Sequence, residues 1–210
     1  MEHKCFEAFC QRCNAIIISS KQENMDILNQ SSRSAGSRTT IDTLAWLIQD
    51  AFEGDPSHSL RANLRDLRDE DWTALPPDGG RSIADIIEHV AWSKWMYEDY
   101  AFGSAIMRGD QPPLIPANGA RSRPHDELLK WLMDGHQRWL ASVRALGDDT
   151  ELDHDRLTNW GERLPTGVII RIMIFHDLYH AGEINHMRAL IQGTDRWLAL
   201  RVVDVTLISE

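Results

Sequence analysis

The sequence predicts an all-α protein, an antiparallel four-helix bundle with long connections and a disordered N-terminal extension. Two observations support this prediction. Apolar residues recur every three or four positions in four main segments, which is the period of a helix with one buried face. Proline- and glycine-bearing stretches separate these segments, as expected for connections between helices. With 210 residues, 42% of them hydrophobic, the chain is long enough to bury one sizeable core.

Residues 1–39 are predicted to form the disordered extension, and residues 40–210 the helical domain. The stretch Asn29–Thr40 is rich in Ser and Arg and offers little apolar surface to bury. All three cysteines lie in the extension, at Cys5, Cys10 and Cys13. With His3 they could form a zinc site, but they lack the two well-spaced ligand pairs of a structural site. Incidental thiols are the simpler interpretation.

The first half of the domain contains two predicted helical regions and a long connection. Ile41–Phe52 has a helical pattern, and the leucines that follow Ser57 indicate a bent helix or two short ones. Ser82 is expected to cap a helix that runs to Tyr100, with Asp85 completing a capping box. Residues 103–119 contain three prolines and are long enough to form a functional rim or lid.

The second half is predicted to hold the other two main helices. One begins at Pro124 and can end at Gly147, and residues 148–165 form a connection. The other is a buried helix over residues 167–192, with Thr166 expected to cap its start and Gly193 its end. Its β-branched beginning would also suit a strand, but its length favours a helix. The tail from Trp197 is expected to pack back as a short strand or irregular segment.

Charge and hydropathy exclude two classes of partner. The formal net charge of −10 argues against nucleic acid, because binding to phosphates depends mainly on Lys and Arg. No apolar run reaches the roughly 18 to 20 residues of a membrane span, and Ala15–Ile18 is too short for the apolar region of a signal peptide. A cytoplasmic and soluble protein is therefore expected.

The chemistry of the chain is expected to centre on the last main helix. His176 and His180 are four residues apart and share one face of that helix, and Glu183 falls on the same face. His89 is the best candidate for a third ligand, because it too lies on an apolar helix face. Three imidazoles with open coordination positions suit zinc, nickel or iron. Glu183 could be a further ligand, a general base, or an acceptor that orients an imidazole.

Other histidine patterns have plainer explanations. Four histidines are expected to be ordinary hydrogen-bonded side chains: His58, His125, His136 and His154. His176, His180 and His186 have the spacing of the metzincin protease signature, but Asp177 replaces its catalytic Glu and Glu183 its helix-breaking Gly. His186 should therefore point away from His180, which argues against a protease.

Two sequence segments resemble the DinB-like superfamily of metal-binding four-helix bundles. They are Gly80–His89 with Trp92 and Tyr97, and His176-x-x-x-His180-Ala-Gly-Glu183-Ile. The resemblance covers roughly residues 41–192. It implies a divalent metal, often nickel or zinc, held by the residues that match His89, His176 and His180. Relatives commonly have Gln where this chain has Glu183, so the added carboxylate has no role that can be transferred from them.

The resemblance also implies a set of activities. Some relatives are thiol S-transferases that use bacillithiol or mycothiol, and many pair as homodimers. We therefore expect a metal-dependent enzyme that transfers a low-molecular-weight thiol to a small electrophile, with the metal lowering the pKa of the thiol. Glu183 is the candidate catalytic residue. Three alternatives stay open: a non-catalytic metal-binding stress protein, a metal-dependent hydrolase, and a purely structural bundle.

Overall fold

Helices make up most of the chain in the computed structural model, which describes residues 36–55, 58–77, 79–107 and 124–194. These ranges contain five α-helices: α1 (Thr39–Gln49), α2 (Asp69–Thr73), α3 (Ile83–Phe102), α4 (His125–Arg144) and α5 (Thr166–Gln192). Four of them are long and form the predicted all-α bundle, and α2 is a single short addition. The extension up to residue 35 and the tail from Trp197 lie outside the described residues.

Helix α1 covers most of the first predicted helix and then changes its winding. Its last turn continues as a π-helical segment, Asp50–Gly54. Its first turn is capped from a distant part of the chain, because the buried carboxylate of Asp149 accepts hydrogen bonds from the backbone N–H groups of Thr40 (3.1 Å) and Ile41 (2.9 Å). The sequence could not show this cap, since 108 residues separate Ile41 from Asp149.

The region after α1 is less helical than the leucine spacing indicates. It contains only a 3-10 turn, Ala62–Leu64, before α2, and Ser57 lies outside the described residues. Asp66 adopts a left-handed backbone with φ of 56°, which ends helical winding there. The buried guanidinium of Arg188 donates to the carbonyl of Arg65 at 2.6 Å, so this carbonyl is bound by a side chain rather than by a helical N–H group.

Helix α3 begins as predicted. The Ser82 hydroxyl accepts from the N–H group of Asp85, and the Asp85 carboxylate accepts from the N–H group of Ser82 at 2.8 Å, which completes the capping box. The helix buries most of its surface and packs most extensively against α4. The two helices pack closely at Gly135 of α4, where an added Cβ would lie 2.8 Å from the indole of Trp95. Most of the predicted long connection after α3 lies outside the described residues.

Helix α4 begins after Pro124 as predicted, but it ends at Arg144 rather than at Gly147. The carbonyl groups beyond this end need partners. The guanidinium of Arg38 provides them: it donates to the carbonyl oxygens of Arg144 (3.0 Å) and Gly147 (3.0 Å), and also to that of Leu146. A side chain from the segment before α1 therefore takes the role that the sequence assigned to a glycine.

The connection between α4 and α5 has more structure than predicted. It contains a 3-10 turn (Asp149–Asp153) and an antiparallel hairpin of β1 (Asp155–Leu157) and β2 (Arg163–Pro165), in which Arg156 pairs with Leu164. The predicted cap at Thr166 is wrong. Thr166 is the first residue of α5, and its hydroxyl instead donates to the carbonyl of His154 at 2.9 Å, which ties the hairpin to the helix.

Helix α5 is the longest element and carries the predicted histidines. It ends at Gln192, and Gly193 follows with φ of 64°, so the predicted glycine cap is confirmed. Its buried face shares one hydrophobic core with α1, α3 and α4. None of the helices in the described ranges is long and apolar enough to cross a lipid bilayer.

Candidate metal centre

Three histidines converge between α3 and α5. His176 and His180 lie one turn apart on α5, and His89 faces them from α3. The Nε2 atoms of His89 and His176 are 3.1 Å apart, and the ring of His180 lies 4.4 Å from that of His176 and 4.9 Å from that of His89, centroid to centroid. One nitrogen from each ring falls within 4.8 Å of the others, so the cluster could hold a metal ion.

Burial keeps at least two of these rings neutral. His89 and His180 are almost fully buried, and His176 is partly buried with its Nδ1 atom enclosed. Desolvation lowers the pKa of His89 and of His176 well below its usual range, and the nearby charge of a protonated His180 would lower both further. Neutral imidazole is the form that binds a metal, because a protonated ring has no free lone pair.

The hydrogen bond between His180 and Glu183 determines which ring nitrogen of His180 carries the proton. Its Nδ1 atom lies 2.7 Å from Oε2 of Glu183, and an ionised carboxylate can only accept a hydrogen bond. In the neutral ring the proton therefore resides on Nδ1, and Nε2 carries the lone pair. That Nε2 atom is enclosed and has no hydrogen-bond partner among the described residues. A buried nitrogen without a partner lowers the stability of the folded chain, and a metal ion that binds its lone pair would remove this cost.

Glu183 is held from two sides. Its Oε1 atom accepts a hydrogen bond of 2.5 Å from Nη2 of Arg81, while Oε2 contacts His180. Burial favours the neutral acid, but the hydrogen bond from His180 and the charge of Arg81 outweigh it, so the pKa of Glu183 is lowered. Glu183 is thus a carboxylate at neutral pH. It lies beside His180, outside the group of three converging nitrogens.

A buried ion pair lies next to the histidines. Nζ of Lys94 on α3 is 2.6 Å from Oδ2 of Asp177 on α5, and the side chains are 0% and 2% exposed. Burial raises the pKa of Asp177, although the charge of Lys94 opposes this shift. Asp177 holds the position of the metzincin Glu, yet it faces the core, and His186 is exposed. This arrangement agrees with the interpretation that the chain is no metzincin.

The remaining described histidines do not join the cluster. His125 stacks on Trp72 with a centroid distance of 4.7 Å, and the buried ring of His136 stacks on Phe52 at 3.6 Å. His58 and His154 are exposed. The expectation of simple hydrogen bonding fits His136 only in part, because no described residue pairs with its Nδ1 atom. These rings belong to the packing and surface of the bundle.

Family comparison agrees with this arrangement. The model of the DinB superfamily matches residues 54–184, a stretch that includes all three converging histidines and Glu183. The chain belongs to the DinB superfamily. The resemblance stated from the sequence is therefore confirmed, and the helical bundle is the DinB-like fold.

A curated relative of this DinB-superfamily chain carries a functional name. It is the protein "Putative metal-dependent hydrolase" of Geobacillus thermodenitrificans (strain NG80-2), which is 27% identical over 142 residues that cover 62% of this chain and 76% of the relative. No solved structure gives a significant match. The name of this relative refers to a metal, and the three converging histidines of this chain could hold one.

Sequence reasoning selected the residues that converge but missed their surroundings. His89, His176, His180 and Glu183 were all chosen by helical spacing, and the structure brings them together; their binding of a metal stays a prediction. Arg81 and Lys94 were missed. Arg81 lies before the cap of α3, where no helical period predicts its direction. The one available signal for Lys94 was its place among the mostly apolar residues 90–97 of α3.

Proposed function

We propose that this DinB-superfamily chain binds one divalent transition metal, zinc or nickel, through His89, His176 and His180, and transfers a low-molecular-weight thiol to a small electrophile. The observation that carries the metal site is the enclosed Nε2 atom of His180, a lone pair without a partner beside two neutral imidazoles. Nitrogen ligands on opposite helices suit these borderline metals better than magnesium or calcium.

The spacing of the nitrogens fits such an ion. Ligands about 2.0 to 2.1 Å from a tetrahedral zinc lie roughly 3.3 Å from one another. The Nε2 atoms of His89 and His176 are already 3.1 Å apart. A three-histidine set leaves coordination positions for a substrate atom, as in catalytic rather than structural zinc sites. An ion between these two neutral rings would bind the lone pairs of both.

The carboxylate beside the site favours a thiol over water as the nucleophile. A bound divalent ion supplies a Lewis acid that lowers the pKa of a nucleophile in an open position. Both oxygens of Glu183 are engaged, one by Arg81 and one by His180, so neither is poised as a general base. A thiol has a pKa of about 8.5 and needs little further help to ionise, whereas water starts near 15.7.

A metal-dependent hydrolase is the second candidate. The name of the Geobacillus relative favours it, and the same three histidines would hold the ion. For this reaction Glu183 would have to leave Arg81 or His180 to take a proton from water. Hydrolysis that survives in a Glu183→Gln variant with its metal retained would exclude Glu183 as the base, and hydrolysis lost in that variant would favour the hydrolase.

The test begins with metal content. Purified, untagged protein reconstituted with zinc or nickel is compared with His89→Ala, and with His154→Ala as a control that removes an exposed histidine. About one ion per chain is expected in the wild type and the control, and none in His89→Ala. Absence of metal from the wild type, or full metal retention in His89→Ala, would overturn the proposed site.

Activity is tested on the metal-loaded protein. A panel of thiols with a generic electrophile should give turnover that His176→Ala lacks. A non-catalytic metal-binding stress protein predicts no turnover, and a cobalt- or nickel-substituted spectrum that added thiol leaves unchanged. A spectral shift on addition of thiol, together with turnover, supports the transferase.

We also propose that the chain forms a homodimer in the cytoplasm. Three large apolar side chains are exposed on neighbouring positions of α5: Phe175, Leu178 and Tyr179. Pairing of two copies would remove this surface from water. Light scattering on the purified protein should give twice the chain mass, and Leu178→Glu should reduce it. A monomer at all concentrations would contradict the dimer.

A further inference from the structure

We propose that Arg81 and Glu183 are positioning residues that hold His180 with its proton on Nδ1 and its lone pair on Nε2. The inference rests on the proposed function only where it assigns a metal to that lone pair. It differs from the sequence-based expectation of a catalytic Glu183, because it gives the carboxylate a role that acts through the ligand.

The three side chains form one hydrogen-bonded series from the surface to the core. The Arg81 and Glu183 side chains are 29% and 24% exposed, and that of His180 is fully buried. Arg81 Nη2 donates to Glu183 Oε1 at 2.5 Å, and His180 Nδ1 donates to Glu183 Oε2 at 2.7 Å. The carboxylate therefore uses one oxygen on each neighbour.

Arg81 makes this arrangement specific. A Glu three residues after a His on a helix has several rotamers, and most of them extend into water. Arg81 directly precedes Ser82, whose capping box fixes the start of α3. Its guanidinium reaches α5 from that fixed point and binds one oxygen of Glu183, which leaves the other oxygen facing His180.

The same ion pair links the two helices that carry the ligands. His89 lies on α3, two turns beyond the cap that Arg81 precedes, and His180 lies on α5. Arg81 and Glu183 are 102 residues apart in the chain and join these helices beside the cluster. Removal of either side chain, in Arg81→Ala or Glu183→Ala, should therefore change both the proton position on His180 and the approach of His89 to it.

A carboxylate partner also has an electronic effect. A ligand imidazole that donates to a carboxylate becomes a stronger donor at its other nitrogen, and removal of such partners typically weakens metal binding about 10- to 100-fold. The amide oxygen of a Glu183→Gln variant could still accept a hydrogen bond from the Nδ1–H group of His180, but it brings no negative charge. His180 paired with the Glu183 carboxylate is thus a stronger metal ligand than His180 paired with an amide would be.

The test reads the proton position directly in metal-free, full-length protein. Nitrogen-15 NMR of the imidazoles distinguishes protonated from unprotonated ring nitrogens, and His180 is assigned with a His180→Gln variant. The compared proteins are wild type, Glu183→Gln, Glu183→Ala and Arg81→Ala. Glu53→Gln is the matched control, because it also breaks a half-exposed Arg–Glu pair, with Arg61, away from the cluster.

The expected results form a graded series. Wild type, Glu53→Gln and Glu183→Gln keep the proton on Nδ1, and Arg81→Ala and Glu183→Ala show a mixture of the two ring forms. Zinc affinity, measured by competition with a chelator, should fall about 10- to 100-fold in Glu183→Ala and less in Glu183→Gln and Arg81→Ala. A zinc affinity that is higher in Glu183→Gln than in Glu183→Ala would show that the effect comes from the orientation of the His180 ring and not from a general loss of stability.

Three outcomes would overturn the inference. They are a wild-type His180 protonated on Nε2, a Glu183→Ala variant with the wild-type ring form, and, in a wild type that binds zinc, an affinity for zinc that none of the variants changes. If wild type binds no metal but His180 keeps its proton on Nδ1, the proposed function fails while the positioning of the ring by Glu183 stands. The two hypotheses are therefore tested separately.

Discussion

Because Lys94 and Asp177 form a buried ion pair, Lys94→Met should lower the free energy of unfolding by a large amount that depends on pH. Lys94→Met keeps the length and apolar stem of the side chain but removes its charge. Among the described residues, the Lys94 ammonium is the only hydrogen-bond partner of Asp177, whose Oδ1 atom already has none. The variant must therefore either bury an unpaired carboxylate or protonate it.

Protonation sets the upper limit of the cost. Taking an aspartate with an ordinary pKa of 3.8 to its neutral form at pH 7 costs about 4 kcal/mol, at about 1.4 kcal/mol for each of the roughly three pH units between them. Measured losses for one partner of a buried pair are about 3 to 5 kcal/mol, which agrees. At pH 5 the same step costs only about 1.6 kcal/mol.

The assay is urea unfolding of wild type and Lys94→Met at pH 7 and pH 5, with chelator present so that metal does not contribute. Lys130→Met is the control, because the Lys130–Asp134 pair has the same 2.6 Å separation but is exposed. The control should lose less than about 1 kcal/mol. Equal losses for the two variants, or a Lys94→Met loss that does not shrink at pH 5, would refute the reasoning.

Three further predictions concern the bundle. Gly182→Ala should raise the free energy of unfolding by about 0.5 to 1 kcal/mol, because an added Cβ meets no described atom within 4 Å. Gly135→Ala should lower it by about 1 kcal/mol, because the added Cβ clashes with Trp95. Thermal melts in which the two variants change stability in the same direction would contradict this. Burial lowers the pKa of His136 to about 2, whereas in the unfolded chain it is about 6.5. Below pH 6.5 the unfolded chain therefore binds a proton at His136 that the native chain does not, which lowers the free energy of unfolding. In urea unfolding, wild type should lose about 2 kcal/mol more than His136→Phe between pH 7 and pH 5. Asp149→Ala removes the cap of α1 and should cost about 1 to 2 kcal/mol, measured by the same assay, and an unchanged midpoint would show that the cap is dispensable.

Helical periodicity was enough to predict the main helices and the histidines. The four-residue spacing of His176 and His180 fixes their common face wherever the helix is placed, and the apolar pattern fixes which face is buried. His89 followed from the same reasoning on α3. These features depend on local geometry, which one stretch of sequence contains.

The missed features depend on contacts between distant residues. The cap of α1 by Asp149, the binding of the carbonyls after α4 by Arg38, and the Arg81–Glu183 pair each join residues more than 100 positions apart. No spacing rule connects such positions. The predicted Thr166 cap was wrong at shorter range: the hairpin brings the carbonyl of His154 within reach of the Thr166 hydroxyl, which donates to it instead of capping α5.

The division of the three histidines between two helices has a consequence for the lifetime of the protein. His89 and His176 are 87 residues apart, so an ion bound by both would act as a cross-link across that loop. By the loop-entropy relation used for disulfides, closing a loop of this length disfavours the unfolded chain by about 4 to 5 kcal/mol. A cell short of metal would then hold a chain that opens and is degraded more readily, and the amount of this protein would follow the metal supply.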